Sequence, residues 1–359
     1  MVKRIRQTLL IKPSFIKPSQ DNLEVIGVFN PGAIRVKNNI YLLLRVAERP
    51  AEKRKGFFPS PRAEKDIIKT DWFKIPENGT EDIRCYTMPD KTMRLTFISH
   101  LRLAKLDSSG FTVMEIAEKP SIFPEEYYEA FGLEDPRITE IEGIYYITCV
   151  ACSESLGVCT TLIKTEDFCN FERMGVIFPA ENKDVVLVPE KIKNSYVAYH
   201  RPSGEHLLGN LTMQISYSPD LIHWGKHSIL LRTRKGFWDD YKLGAGPPPV
   251  KTKHGWLTVY HGVYRQKGET IGTYCAGAAL FDLNDPGKLI GRTKDPIIIP
   301  EEPWEKKGFV PDVIFPAGAV MDEDGRHLIL YSGASDTYVT ATKLSLEDII
   351  KQLQVKELT

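Results

Sequence analysis

The hydrophobic positions of this chain fall into short β-prone runs separated by polar turns, and five of the runs share one grammar. Each opens on or beside a proline, continues through a short extended stretch and a polar turn, and returns as an apolar, aromatic strand. The five segments are NPGAIRVKNNIYLLLRV from Asn30, DPRITEIEGIYYITCVA from Asp135, VPEKIKNSYVAYHRP from Val188, PPPVKTKHGWLTVYHGV from Pro247 and FPAGAVMDEDGRHLILYSGA from Phe315. Their turns, Lys37-Asn38-Asn39, Glu142-Gly143, Lys193-Asn194-Ser195, His254-Gly255 and Asp324-Gly325, suit hairpins. The anchoring prolines Pro31, Pro136, Pro189, Pro248 and Pro316 lie 105, 53, 59 and 68 residues apart. The last three gaps fit one four-stranded sheet per repeat. The first is about twice as long and carries the charged stretch ERPAEKRKGFFPSPRAEKD, which reads as an inserted excursion over 47–95. Five such repeats predict an all-β chain closed radially into a five-bladed β-propeller, one domain over 1–359. Helix is scarce; SLEDIIKQLQ predicts a short C-terminal helix over 345–355, with Ser345 and Asp348 as its capping pair. Two packed β-sandwiches are the alternative architecture.

In a propeller the innermost strands line a central funnel, so polar residues at equivalent points of several repeats converge. The candidates are Asn30 and Arg45; Glu134, Asp135 and Arg137; His200 and Arg201; Lys242, Tyr260 and His261; and Asp336. Adjacent residues on an extended strand point to opposite faces. Glu134 and Asp135 are therefore expected to split, one facing the funnel and the other tying down backbone or pairing with Arg137. Taken alone, EDPR also reads as a turn closed by an ion pair. His200-Arg201 and Tyr260-His261 end matching strands one repeat apart, with Lys242 beside a Gly-Ala-Gly-Pro-Pro-Pro bend. Lys183 and Lys191 flank the preceding strand and read equally well as solvated lysines. Convergent Arg, Lys and His point to a small anion such as phosphate, held by charge-assisted bonds.

Composition narrows the field. At 359 residues, length alone suggests two or three domains; the repeat count absorbs that length into one. With 47 Lys+Arg against 47 Asp+Glu, the chain lacks the basic excess that broad nucleic-acid binding requires. No apolar stretch is long enough to span a bilayer, and Leu9-Leu10-Ile11 is too short for a secretory signal core. Cys149 and Cys152 have C-x-x-C spacing but no second ligand pair; the six cysteines are expected to be buried, reduced thiols of a cytoplasmic protein. No metal motif, nucleotide loop or G-x-S-x-G elbow occurs, so no metal or organic cofactor is expected. The sequence leaves a homo-oligomer open.

The motifs FGLEDPRI, NKDVVLVPEKI, YHRP, WDDYKLGAGPPPV, GWLTVYHGV and VIFPAGAV, in this order and spread from Phe29 to Asp336, resemble glycoside hydrolase family 130, the β-mannoside phosphorylases and their hydrolytic relatives. The resemblance implies a five-bladed propeller, with Asp135 as the acid that protonates the glycosidic oxygen through a hydroxyl of the mannose. It implies that Asn30, Arg45 and Asp336 grip that sugar. Lys183, Arg201, Lys242 and His261, with Tyr260 alongside, would bind phosphate; Glu134, Arg137 and His200 join the substrate-binding set. Inverting hydrolysis needs an acid, a base and an intervening water, whereas phosphate attacks directly and needs cations to hold it. Filled cationic positions therefore favour phosphorolysis of β-mannosides, with β-1,2-linked manno-oligosaccharides and phosphate as the expected partners and α-mannose 1-phosphate as product. Alternatives are phosphorylases of β-1,4-mannosyl-N-acetylglucosamine or mannosylglucose, an inverting β-mannosidase, and a propeller that only binds glycans. The excursion and the aromatic run PEEYYEAF are expected at the funnel mouth, although the latter could equally pack between blades.

Overall fold

The computed structural model describes residues 2–76, 82–203, 211–266 and 269–355. Five antiparallel sheets follow one another along the chain, each running outward from an inner strand. The first comprises Leu23–Val36, Asn39–Pro50, Ile98–Leu106 and Val113–Ile116; the second Leu133–Ile141, Ile144–Ser153, Gly157–Thr165 and Glu172–Phe178. The third comprises Asn182–Leu187, Tyr196–Pro202, Met213–Ser218 and Gly225–Leu231. The fourth is built on Lys242–Ala245, Gly255–Tyr264, Thr273–Phe281 and Leu289–Thr293, with Val250–Thr252 also pairing to its second strand. The fifth comprises Ile314–Met321, His327–Ala334, Tyr338–Ser345 and, as outermost strand, Arg4–Ile11 from the other end of the chain. That last pairing closes the ring and covers an edge that would otherwise template aggregation.

Blade strands are apolar on both faces because each face packs against a different neighbour. Leu42 and Leu44 enter the core shared with the fifth blade, whereas Leu43 enters the core shared with the second. Val185 and Leu187 face the second blade, and Val186 faces the fourth. Leu328 and Leu330 pack on the fourth blade, Ile329 and Tyr331 on the first. Five interblade cores result. The hairpin turns use left-handed residues, with φ of 54° and 83° at Glu142-Gly143 and 50° and 64° at Lys193-Asn194.

Two predicted boundaries are corrected. The excursion departs after Pro50 rather than at 47, because Ala47 to Pro50 continue the ladder with Gly27 to Leu23. It returns just before Ile98, having formed the hairpins Phe57–Glu64/Ile67–Lys74 and Cys85–Thr87/Met93–Leu95. The C-terminal helix spans Leu346–Gln352 only; Ser345 Oγ accepts from the Asp348 N–H at 3.1 Å, and Leu353–Val355 becomes a strand on the edge of the fourth blade. None of the six cysteines forms a disulfide, but Cys169 is exposed and Cys85 half-buried, so burial holds for only four.

Candidate active site

The inner strands of the first three blades share one local defect. Their register slips between Phe29 and Gly32, between Glu134 and Arg137, and between Lys183 and Val186. In each slip sits an Asn or Asp with left-handed backbone: Asn30 at φ 47°, Asp135 at 50° and Asp184 at 56°. These are β-bulges, and Asn and Asp tolerate the left-handed region better than other side-chain-bearing residues. The strain costs roughly 1–3 kcal/mol per residue and turns three polar side chains onto the funnel, where it clusters as strain at functional sites does.

The bulge overturns the expected split of Glu134 and Asp135. Both carboxylates face the funnel and share Arg45, whose Nη2 donates to Glu134 Oε1 at 2.5 Å and whose Nη1 donates to Asp135 Oδ1 at 2.9 Å. Asn30 Nδ2 donates to the same Asp135 oxygen at 2.8 Å. Arg45 is fixed by Ser99 Oγ at 3.1 Å and lies over the Phe29 ring at 4.6 Å. Burial would raise the Asp135 pKa; Arg45 and Arg137, with the two hydrogen bonds, outweigh it and hold this carboxyl below its ordinary range. Asp336 behaves oppositely. Burial pushes it up to about 6, helped by Asp135 and Glu134 and opposed by Arg84 and Arg45.

Across the same funnel, of about 530 Å³, stand Lys183, Arg201, Lys242 and His261. Arg201 grips Asp184 Oδ2 through Nε at 2.8 Å and Nη2 at 2.7 Å. Lys242 is half-buried, with Nζ 4.9 Å from the Tyr274 ring centre. Burial together with Arg201, Arg84 and Lys183 pushes its pKa down to about 7. His261 packs between Phe315 and Tyr274, with ring centres 4.5 and 5.9 Å away. Burial drives it down to about 3 against the pull of Asp184, so the ring is neutral; neither nitrogen has a hydrogen-bond partner among the described residues.

Three sequence candidates stand elsewhere. Arg137 is buried beneath the floor, donating through Nε to Gly246 O at 2.7 Å and through Nη1 to the backbone O of Asp135 at 2.5 Å. It braces the bulge rather than pairing with either carboxylate side chain of the EDPR segment. His200 faces the second blade, stacked on Phe178 and hydrogen-bonded to Asn182 and His227. Tyr260 faces away as well, donating its hydroxyl to Asp239 Oδ2 at 3.0 Å. Both follow from strand alternation: Arg201 and His261 take the funnel face, so their predecessors cannot. Lys191 is a surface lysine paired with Glu142. PEEYYEAF mostly packs, since Tyr128 joins a core and buried Glu129 binds Arg173; only Phe131 reaches the funnel.

Sequence reading missed Asp184, Arg84 and Tyr274, all on the funnel wall. Asp184 takes the same bulge position in its blade as Asn30 and Asp135, but it lies five residues before Pro189, whereas Asn30 and Asp135 directly precede the prolines of their repeats, so the repeat pattern did not mark it. Arg84, held by Asp82 through Nε at 2.8 Å and Nη2 at 2.6 Å, comes from the excursion, where no repeat marks it.

Fold and site together define a five-bladed propeller whose funnel sets a carboxylate group with hydrogen-bonding arms against a cluster of cations. Residues 91–355 match the family model described as beta-1,4-mannooligosaccharide phosphorylase. The chain is 38% identical to a β-1,2-mannobiose phosphorylase of Listeria innocua over 99% of both chains. It is 35% identical to a 1,2-β-oligomannan phosphorylase of a Thermoanaerobacter species, over 70% of this chain and 81% of that one. The solved structure of the Listeria innocua β-1,2-mannobiose phosphorylase in complex with β-1,2-mannobiose superposes with a TM-score of 0.85 at 37% identity, over 96% of each chain. The chain therefore belongs to glycoside hydrolase family 130.

Proposed function

We propose that the protein is an inverting phosphorylase of β-1,2-linked manno-oligosaccharides, converting a terminal β-mannoside and phosphate into α-mannose 1-phosphate and a shortened acceptor. The carrying observation is the juxtaposition, in one funnel, of Asp135 with its Arg45 and Asn30 partners and the cations Lys183, Arg201 and Lys242. Similarity to two relatives named for β-1,2-linked substrates supports the linkage.

In this reading Asn30, Arg45 and Asp336 grip the mannose, and the cations seat phosphate on the opposite side of the anomeric carbon. A phosphate oxygen forms the new bond to that carbon as the glycosidic C–O bond breaks. Asp135 delivers a proton to the departing oxygen through a mannose hydroxyl. In net balance this is the hydrogen that HPO₄²⁻ carried, with Asp135 re-protonated for the next turnover. The cations offset the repulsion between phosphate and the carboxylates, at about 4 kcal/mol per unit pair at 4 Å for an effective dielectric near 20. Like charge from bound phosphate raises the Asp135 pKa and favours the protonated acid that this step needs. Neutral His261 offers a ring N–H to a phosphate oxygen. No metal or organic cofactor enters this mechanism. Six cysteines with no disulfide among them support a reducing, cytoplasmic setting.

The test is a panel of β-1,2-mannobiose, β-1,4-mannobiose, β-1,4-mannosyl-N-acetylglucosamine and mannosylglucose, each with phosphate, following mannose 1-phosphate release. Preferential turnover of the β-1,2 disaccharide supports the proposal. Preference for a 1,4-linked substrate overturns the linkage, and no turnover of any of them supports a binding propeller.

A further inference from the structure

Asp184 is 4% exposed, and three cationic or ring side chains converge on it from three strands. Arg201 holds Oδ2 in two short bonds, His261 Nε2 stands 3.5 Å from the same oxygen, and Arg137 Nη2 lies 3.8 Å from Oδ1. That Arg137 nitrogen is buried with no hydrogen-bond partner among the described residues. The fourth blade leaves room for this arrangement: a Cβ at Gly244 would fall 2.2 Å from Asp184 Oδ2 and 2.6 Å from His261 Cε1. Burial alone would raise the Asp184 pKa. Arg201 and Arg137 outweigh it and hold the group far below the usual carboxylate range, so it is ionised whenever the protein is folded near neutral pH.

The cation cluster thus contains its own counter-charge. Without it, Arg201 would be a buried charge with no carboxylate bonded to it among the described residues, and Arg137 would keep only Asp135 as its counter-charge, a destabilising state. Phosphate, on the phosphorolysis reading on which this inference rests, brings the same sign of charge to the same cations. We propose that Asp184 is a positioning residue of the anion site: it holds Arg201 and His261 in place by standing in for the charge of phosphate until phosphate arrives. Its left-handed backbone fixes where that carboxylate sits, as at Asn30 and Asp135.

The test compares the wild type with Asp184→Asn and Asp184→Glu, by thermal unfolding with and without inorganic phosphate and by initial rates of mannose 1-phosphate release. Asp184→Asn should unfold at a lower temperature without phosphate, and phosphate should raise its Tm by more than it raises that of the wild type. A residue that only fills space would not change the size of that phosphate shift. Its kcat should fall by about tenfold or more, since misplacing a positioning group by about 1 Å can cost up to about 10²-fold. Asp184→Glu keeps the charge but displaces it by a methylene, so it should recover most of the phosphate-free Tm and still lose about tenfold in kcat or in KM for phosphate. It carries the test if the Asn variant does not fold.

Equal phosphate shifts in wild type and Asp184→Asn, or wild-type kcat and phosphate KM in Asp184→Glu, would overturn the assignment. A wild type indifferent to phosphate in both turnover and Tm would overturn phosphorolysis as well; a phosphate-dependent wild type beside an indifferent variant overturns only the role of Asp184.

Discussion

Lys242 provides a prediction that connects burial to kinetics. Its ammonium faces Arg201, Arg84 and Lys183, and burial among them lowers its pKa from the ordinary 10.5 to about 7. A phosphate dianion should bind the charged form far better than the neutral amine. Above pH 7 the charged fraction falls about tenfold per pH unit, equivalent to about 1.4 kcal/mol of binding free energy per unit. From about half charged at pH 7 to about one per cent at pH 9, the apparent KM for phosphate should rise about 50-fold. Lys242→Met removes the titrating group, so its KM should start high at pH 7 and stay nearly flat over this window. The assay is the initial rate of mannose 1-phosphate release against phosphate concentration, at half-unit steps from pH 7 to 9. A flat wild-type KM, or an equally steep rise in Lys242→Met, would refute the reasoning. Stability carries the same linkage with a definite sign. Because folding lowers this pKa, the unfolded chain binds the extra proton between about pH 7 and 10.5, so the contribution of Lys242 to stability improves as pH rises through that window. Bound phosphate should diminish that dependence by restoring the charged form.

The remaining predictions separate roles within the funnel. Asp135→Asn should lose kcat by at least about 10²-fold with its Tm little changed, whereas Asp336→Asn should mainly raise KM for the mannoside; the opposite split would make Asp336, whose raised pKa lets it keep a proton to about pH 6, the acid instead. Tyr260→Phe removes a buried hydroxyl from Asp239 and should lower stability by about 1 kcal/mol in denaturant titration while leaving phosphate KM unchanged; a large rise in that KM would return Tyr260 to the anion site. In Gly333→Ala the new Cβ would lie 1.9 Å from Asn30 Oδ1, displacing the donor to Asp135; kcat should drop about tenfold or more, and wild-type turnover would show that Asn30 is not needed there.

Much of the architecture was readable because a propeller repeats its information. Five turns and five apolar return strands announced five blades, and length then fell into place. The N-terminal strand Arg4–Ile11 did not announce itself, since its pairing with Tyr338–Ser345 joins the two ends of the chain and no local pattern records such a contact. In the site, the rule that neighbours on a strand face opposite ways explains the placement of His200 against Arg201 and of Tyr260 against His261. The same rule failed at Glu134 and Asp135 because a left-handed residue inserts an extra position into the strand. That bulge is visible in sequence only as the Asn or Asp directly before the proline of its repeat, at Asn30 and Asp135; Asp184, five residues ahead of Pro189, carries no such cue. Arg84 was beyond such reasoning: the excursion lies outside the repeat, and one arginine in a charged stretch carries no mark of a place on the funnel wall.

The zero net charge of the chain conceals the local grouping on which the account depends, Glu134 and Asp135 around Arg45 in one part of a funnel and Lys183, Arg201 and Lys242 with Asp184 in another. The most direct test follows β-1,2-mannobiose by proton and phosphorus NMR, with and without inorganic phosphate. The account predicts cleavage only with phosphate, giving one α-mannose 1-phosphate and one free mannose per disaccharide. Two free mannoses per disaccharide in the absence of phosphate would contradict it.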